Sequence, residues 1–417
     1  MSNAVRSIKK KLLPRCGTEC VLHRNVHFTF TTKDGKMMNV IFTCGGTAGH
    51  VNPALALAGL MQERDASVNI LFVGSKRGME GKLVEKAGYA FRAIEIDNFR
   101  RSFKVADIRH NLHTAALVVK TPRQARAVLE EFKPDLIVGT GGYASYPMVK
   151  YGAKAGVPTA VHESNMVPGL TTKTLEPLVD KVMVGFEACR PYYQHPEKVV
   201  VTGTPVRGDF FACSRAQARA RLGYADDKPL VVSFWGSLGA AHMNEQMVDF
   251  IRAELSSGSP FHHIHAAGST GYPKMQEALR AAGIDLAHTD VDLREYIYDM
   301  PTVMRAADLV ICRGGASTIS ELTALGMPSI IVPSPYVVNN HQEKNARVLE
   351  KAGGICLMLE NESSGKAIYD TAMEILGDST KREGMHKAML SLSVADAAER
   401  IYHTVMALVP KAEKTEI

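Results

Sequence analysis

The sequence predicts an α/β protein of two doubly wound parallel-sheet domains facing each other across a cleft. Three observations predict it. Short apolar runs alternate with helical patterns along nearly the whole chain, as buried parallel strands joined by crossover helices do. Several of these runs end in a glycine-rich turn that leads at once into a helix. The 417 residues are too many for one ordinary core, and suit two domains of roughly 150–200 residues each.

The first strand is Val40-Ile41-Phe42-Thr43, followed by the turn Cys44-Gly45-Gly46-Thr47-Ala48-Gly49-His50 and a helix opened by Asn52-Pro53. Such a turn lets backbone N–H groups approach a phosphate, and the helix N-terminus favours its charge. His50 has an ordinary pKa near ~6.5, so it is mostly neutral at neutral pH and can accept a proton beside the anion. Residues 68–74 read as a strand, 79–87 as a helix and 121–132 as another helix. Strand-like residues 135–139 enter Thr140-Gly141-Gly142-Tyr143, and residues 157–161 enter His162-Glu163-Ser164-Asn165. The texture changes at Gly203-Thr204-Pro205-Val206-Arg207-Gly208-Asp209. Beyond it the pattern returns: residues 230–234 run into Trp235-Gly236-Ser237-Leu238-Gly239-Ala240, with a helix from about Asn244. Residues 308–313 run into Gly314-Gly315-Ala316-Ser317-Thr318 and a helix ending near Gly326. In open parallel sheets ligands bind at the carboxyl ends of strands, so several such turns imply one shared cleft.

With 46% hydrophobic and 22% charged residues the chain reads as globular, and no apolar run approaches the ~20 residues that cross a bilayer. The basic start, Arg6 to Lys11, is not followed by the apolar core of a secretory signal. Seven scattered cysteines suit reduced thiols; Cys16, Cys20 and His23 match no standard zinc spacing. The net charge of +6 lies entirely in the first forty positions, which hold eight Lys/Arg against Glu19 and Asp34. The charge therefore gives no sign of nucleic-acid binding by the folded body, and residues 1–37 read as a basic, disordered extension with anionic lipid as its alternative partner.

Five ordered motifs carry a resemblance: Gly45-Gly46-Thr47-Ala48-Gly49-His50, His162-Glu163-Ser164-Asn165, Gly203-Thr204-Pro205-Val206-Arg207, Gly236-Ser237-Leu238-Gly239-Ala240, and residues 313–321. Over about residues 39–408 the chain resembles the MurG family, bacterial transferases that move N-acetylglucosamine from UDP to lipid I and form lipid II of the peptidoglycan pathway. The resemblance implies a GT-B fold of two Rossmann-like domains, inversion at the sugar, and no essential protein-bound metal or other cofactor. It implies residues 38–204 as an acceptor- and membrane-side domain, 205–229 as hinge, 230–395 as the UDP-sugar domain, and 396–417 as a closing helix and tail.

The implied roles follow the motifs. His50 or Glu163 takes the proton of the attacking hydroxyl, with His50 favoured because neutral imidazole needs no pKa change. Gly45, Gly46, Ala48, Gly49, Gly141, Gly142 and Tyr143 cradle the acceptor diphosphate. Thr47, Ser237, Arg207, Ser317 and Thr318 face the donor, mostly at its diphosphate. Glu321, in the first turn of its helix, accepts from the ribose hydroxyls; the competing reading is a carboxylate that merely compensates a helix dipole. Ile297 meets uracil through its backbone, with Met300 beside it. Asn165, His341 and Gln342 bind the sugar. Phe99, Arg100, Arg101, Phe103 and Lys104, continued by Ile108, Leu112, Leu117 and Val118, make an interfacial patch, so the resemblance implies a peripheral protein on the cytoplasmic face of the cell membrane. Its implied partners are UDP-N-acetylglucosamine, lipid I, the anionic inner leaflet and other cell-wall enzymes. Ala48, Trp235 and Leu238 depart from the family pattern, the last two at the donor loop. Two other classes compete: another nucleotide-sugar enzyme of this fold, such as a glycolipid transferase or a hexosamine 2-epimerase, and a non-catalytic UDP-sugar-binding protein.

Overall fold

A computed structural model describes residues 37–410 apart from Thr47, Met79, residues 98–104 and Ala225. The interfacial residues Phe99, Arg100, Arg101, Phe103 and Lys104, and residues 1–36, thus lie outside the described residues. The first sheet holds β1 (Asn39–Thr43), β2 (Asn69–Ser75), β3 (Ala90–Ile94), β4 (Leu136–Gly139), β5 (Thr159–Glu163), β6 (Lys181–Val184) and β7 (Val199–Val201). Its order is β3-β2-β1-β4-β5-β6-β7 and each pairing is parallel. The second holds β8 (Leu230–Phe234), β9 (His262–Ala266), β10 (Val291–Arg294), β11 (Leu309–Cys312), β12 (Ser329–Ile331) and β13 (Ile355–Leu357), ordered β10-β9-β8-β11-β12-β13, again all parallel.

The central strands are apolar on both faces because both faces are covered. Val40 and Phe42 pack with Leu57 and Met61 on one side of β1, while Ile41 packs with Ile137, Met148 and Val149 on the other. In the second domain Val232 and Phe234 join one core and Val231 the opposite one. The strand order reverses between β1 and β4, and again between β8 and β11, so each domain opens a crevice at its carboxyl ends where the glycine turns stand.

Two local readings change. The first helix begins at Ala48 and holds Pro53 inside it, not at Asn52-Pro53, because the end of the glycine turn is already helical; this puts His50 in the first turn. Residues 121–132 are the second half of one 28-residue helix, Val105–Phe132. On that helix Leu117 is buried, 9% exposed, so it belongs to the core rather than to the interfacial patch, while Ile108 and Leu112 are exposed.

Residues 205–229 carry a helix, Arg215–Leu222, with Ser214 and Gln217 in a reciprocal capping box. Its Ala218 joins the second domain's core, and Arg219 is paired with Asp308. The last helix, Ala397–Met406, returns to the first domain, where Ile401, Tyr402 and Val405 pack with Val40 and Phe42. Arg64 clamps Glu399 with bonds of 2.6 and 2.7 Å. Phe186 and Val348 touch cores of both domains.

Candidate active site

On the first domain's side, two glycine turns abut. Gly142 has φ +80° and a Cβ there would overlap the Gly45 carbonyl; one on Gly141, at φ +104°, would press on the Nδ1 edge of His50. Only glycine fits both demands. Thr140 Oγ1 donates to the His50 carbonyl at 2.6 Å and fixes the helix start against the turn after β4. Gly141 thus lies against the Nδ1 edge of the His50 ring, and the ring also bonds the Thr140 backbone. Desolvation in the cleft wall lowers the His50 pKa below the ordinary histidine value, opposed by Glu163 and reinforced by His341. His50 is thus neutral at neutral pH.

Glu163, at the end of β5, is buried. Its Oε1 accepts from the backbone and side-chain nitrogens of Asn165, both at 3.0 Å, and its Oε2 accepts from Gly169 N–H at 3.0 Å and Thr172 Oγ1 at 2.8 Å. A carboxylate offers about four lone-pair sites, and four donors already occupy them. Glu163 therefore shapes the loop that carries Asn165.

Two residues that sequence reading passes over complete this side. Glu80 is fully buried beneath the glycine turn; Ser75 N–H donates to its Oε1 at 2.7 Å and Gly46 N–H to its Oε2 at 3.4 Å. Tyr143 OH donates to Ser75 Oγ at 3.2 Å. Asn345 crosses the cleft: its Oδ1 accepts from Met166 N–H at 2.8 Å, and its Nδ2 donates to Asn165 Oδ1 at 3.3 Å and to Gly314 O at 3.2 Å. An asparagine in the middle of a helix is a poor helix former, and that mismatch is the only sequence sign of it.

His341, the first residue of the helix His341–Lys351, follows Asn339 and Asn340, both left-handed at φ +56° and +50°. Asparagine tolerates this conformation best after glycine, and the kink aims the helix start at the cleft. His50, Glu163, Asn165, His341 and the Gly141–Tyr143 turn line one cavity of about 760 Å³. Gln342 has its side-chain oxygen engaged by Ser334 N–H at 2.9 Å.

On the second domain's side, Gly239 at φ +80° allows a turn against the Ala267 carbonyl that a Cβ would overlap. Ser269 N–H donates to Ser237 O at 3.0 Å and Thr270 Oγ1 to Leu238 O at 2.6 Å, so the turn is held while Ser237 and Leu238 stay exposed. Trp235 turns inward, 4% exposed, with the Arg313 guanidinium 5.6 Å from its ring centre. The indole is therefore core, and leaves the turn clear.

Ser317 and Thr318 are the second and third residues of the helix Ala316–Leu325, whose first turn holds no acidic residue. Glu321 is the sixth, one turn further in than the sequence suggests, because the helix starts at Ala316. A dipole-compensating role loses its basis there, since that effect fades beyond the first turn. Burial pushes the Glu321 carboxyl up to about 7, with Arg207 drawing it down and Asp209 pushing it up. Arg207 lies 3.6 Å from Asp209, so hinge and helix meet at Glu321. Ile297 is buried in the core, leaving only its backbone for a ligand, and Met300 opens the next helix, Met300–Ala306. Among the described residues no group of three or more His, Cys, Asp or Glu side chains stands together to hold a metal ion.

Two doubly wound domains with glycine turns and helix N-termini at the carboxyl ends of their strands define a GT-B fold. The chain belongs to glycosyltransferase family 28: residues 40–184 match that family's N-terminal domain and residues 230–401 its C-terminal domain. A relative from Acetivibrio thermocellus, 38% identical over 88% of this chain and 97% of its own, is named UDP-N-acetylglucosamine--N-acetylmuramyl-(pentapeptide) pyrophosphoryl-undecaprenol N-acetylglucosamine transferase. One of the same name from Thermoanaerobacter sp. is 38% identical over 89% of this chain and 100% of its own. The crystal structure of Acinetobacter baumannii MurG shares the fold with a TM-score of 0.67 at 23% identity, over 89% of this chain and 99% of that one. The UDP-GlcNAc 2-epimerase of Neisseria meningitidis, solved with UDP-GlcNAc, does so at 0.61 and 14%, over 89% and 100%.

Proposed function

We propose that this protein transfers N-acetylglucosamine from UDP-N-acetylglucosamine to the 4-hydroxyl of the muramyl sugar of lipid I, with inversion, forming lipid II. The observation that carries this reading is the pairing of a neutral, cavity-lining His50 with a saturated Glu163 on the wall opposite the donor turns. His50 takes the proton as the hydroxyl oxygen bonds to the anomeric carbon, and the anomeric C–O bond breaks with its electrons leaving on UDP. The charge on the departing diphosphate falls to Arg207, to the amides of the Gly236–Ala240 turn and to the N-terminus of the helix Ala316–Leu325, with no protein-bound metal in the step. Glu321 accepts from the ribose, Ile297 and Met300 flank the base, and Asn165, His341 and the Gln342 amide nitrogen meet the sugar. Gly45, Gly46, Gly49, Gly141, Gly142 and Tyr143 hold the acceptor diphosphate. Acceptor-dependent release of UDP with a soluble short-chain lipid I analogue tests the reading; UDP release or epimer formation without acceptor would favour a 2-epimerase.

The acceptor is named for an undecaprenol tail, so the enzyme meets a membrane surface; no helix among the described residues is long and apolar enough to cross one. Ile108, Leu112 and Val119 stand exposed along one helix, 47%, 69% and 79%, beside exposed Arg109, Lys120 and Arg123. We place this face against anionic lipid of the cytoplasmic leaflet. Leu112→Ser with Val119→Ser is expected to cut co-sedimentation with anionic vesicles by about tenfold or more, and to leave turnover of the short-chain acceptor unchanged. Equal sedimentation of double variant and parent would assign membrane binding to residues 1–37 or 99–104 instead.

A further inference from the structure

The cavity that holds His50 is also lined by the helix Ser145–Lys154, through Tyr146, Lys150 and Tyr151. Lys150 Nζ donates to Tyr146 OH at 2.9 Å and stands 5.0 and 6.0 Å from the ring centres of Tyr146 and Tyr151. Both carboxylates lining the cavity are already engaged. Glu163 has its four donors, and Asp97 lies 3.7 Å from Arg77 and 4.0 Å from His110. Among the described residues no carboxylate pairs with Lys150. An ammonium with no carboxylate partner among the described residues, bonded to one tyrosine and close to the rings of two at the wall of a cavity, is a receptor for an anionic group of whatever fills it.

We propose that Lys150, with Tyr146 and Tyr151, binds a carboxylate of the acceptor's peptide. The proposal rests on the transferase reading and deepens it. The diphosphate is a poor match for these three side chains, because the backbone amides that suit it are gathered at the Gly45–Gly49 and Gly141–Gly142 turns. Lys150 lies five residues into the helix, about 7.5 Å along its axis. On the muramyl ring the peptide arm leaves from the carbon next to the attacking hydroxyl, and the diphosphate from the anomeric carbon across the ring. With the hydroxyl at His50 and the diphosphate at the glycine turns, the peptide points away from them. The two tyrosines offer it flat apolar surface, and Lys150 ends the path.

The test compares two soluble short-chain acceptors, one with the native pentapeptide and one with every peptide carboxylate converted to its amide. For the native acceptor, Lys150→Met is expected to raise KM roughly 10- to 100-fold, the span of a charged hydrogen bond, with kcat changed less than about twofold and KM for UDP-N-acetylglucosamine unmoved. Lys150→Arg restores most of the loss. For the amidated acceptor, parent and Lys150→Met have equal KM. Equal losses on both acceptors would overturn the proposal and move the contact to the diphosphate, and no loss on either would overturn it outright. Calorimetric binding of the two acceptors keeps the subsite separate from the chemistry. A parent that turns over neither acceptor but binds the carboxylate form more tightly refutes the transferase reading and upholds the subsite; equal binding of both refutes the subsite.

Discussion

Replacing His50 by alanine is expected to lower kcat by roughly 10²–10⁴-fold, the usual worth of a positioned general base, with UDP affinity little changed. The expectation follows from the division of labour on the acceptor wall. Glu163 has no lone pair to spare, whereas the His50 ring is held by the turn after β4 and lines the cavity. The pH dependence carries a sign that checks the assignment. The His50 pKa lies below the ordinary ~6.5, so kcat should be flat around neutrality and fall only as acid protonates the imidazole. Unchanged turnover in His50→Ala would pass the role to Glu163 and require its four hydrogen bonds to rearrange in the complex.

Glu321→Ala is expected to weaken UDP binding by roughly 10- to 150-fold, corresponding to about 1.5–3 kcal/mol for hydrogen bonds that involve a charged group. Its position in the second helical turn makes this a sharper test than the sequence allows, because a helix-start carboxylate is no longer the competing account. The parent should discriminate against 2′-deoxy-UDP and the variant should not. The carboxyl sits at about 7 in the free protein. It therefore holds a proton in the folded state at pH values where the unfolded chain has lost it, and its contribution to stability is present in acid and lost as pH rises through about 7. Ribose hydroxyls favour the ionised form, so UDP binding near pH 6 should release a proton. Calorimetry in buffers of different ionisation enthalpy measures that release, and Glu321→Gln should abolish it. A variant that binds UDP as the parent does would remove Glu321 from the donor site.

The parts of this arrangement that were legible in the sequence are those whose chemistry is local. A strand, a glycine turn and a helix start are contiguous in the chain, so the turns at 45–49, 141–142, 236–240 and 314–315 announce themselves, as does the histidine at the end of the first. Glu80, Asn345 and Lys150 are hidden because their neighbours are distant in sequence. Glu80 meets Gly46 across 34 residues, and Asn345 meets Met166 across 179. Glu321 was readable as an acid near a helix start but not in its turn, since the start itself is set by where the backbone leaves Gly315. Trp235 departs from the family pattern at the donor loop, and only the core behind β8 shows that the indole has a place to turn.

If one cleft joins a donor and an acceptor through His50, the proton NMR spectrum of the product formed from UDP-N-acetylglucosamine and the soluble lipid I analogue records it at the new bond. One new sugar is expected on the muramyl 4-hydroxyl, with the large anomeric coupling of a β-linkage, formed by the parent and strongly reduced in His50→Ala. An α-linked product, transfer to another hydroxyl, or release of a 2-epimerised sugar with no new glycosidic bond would contradict it.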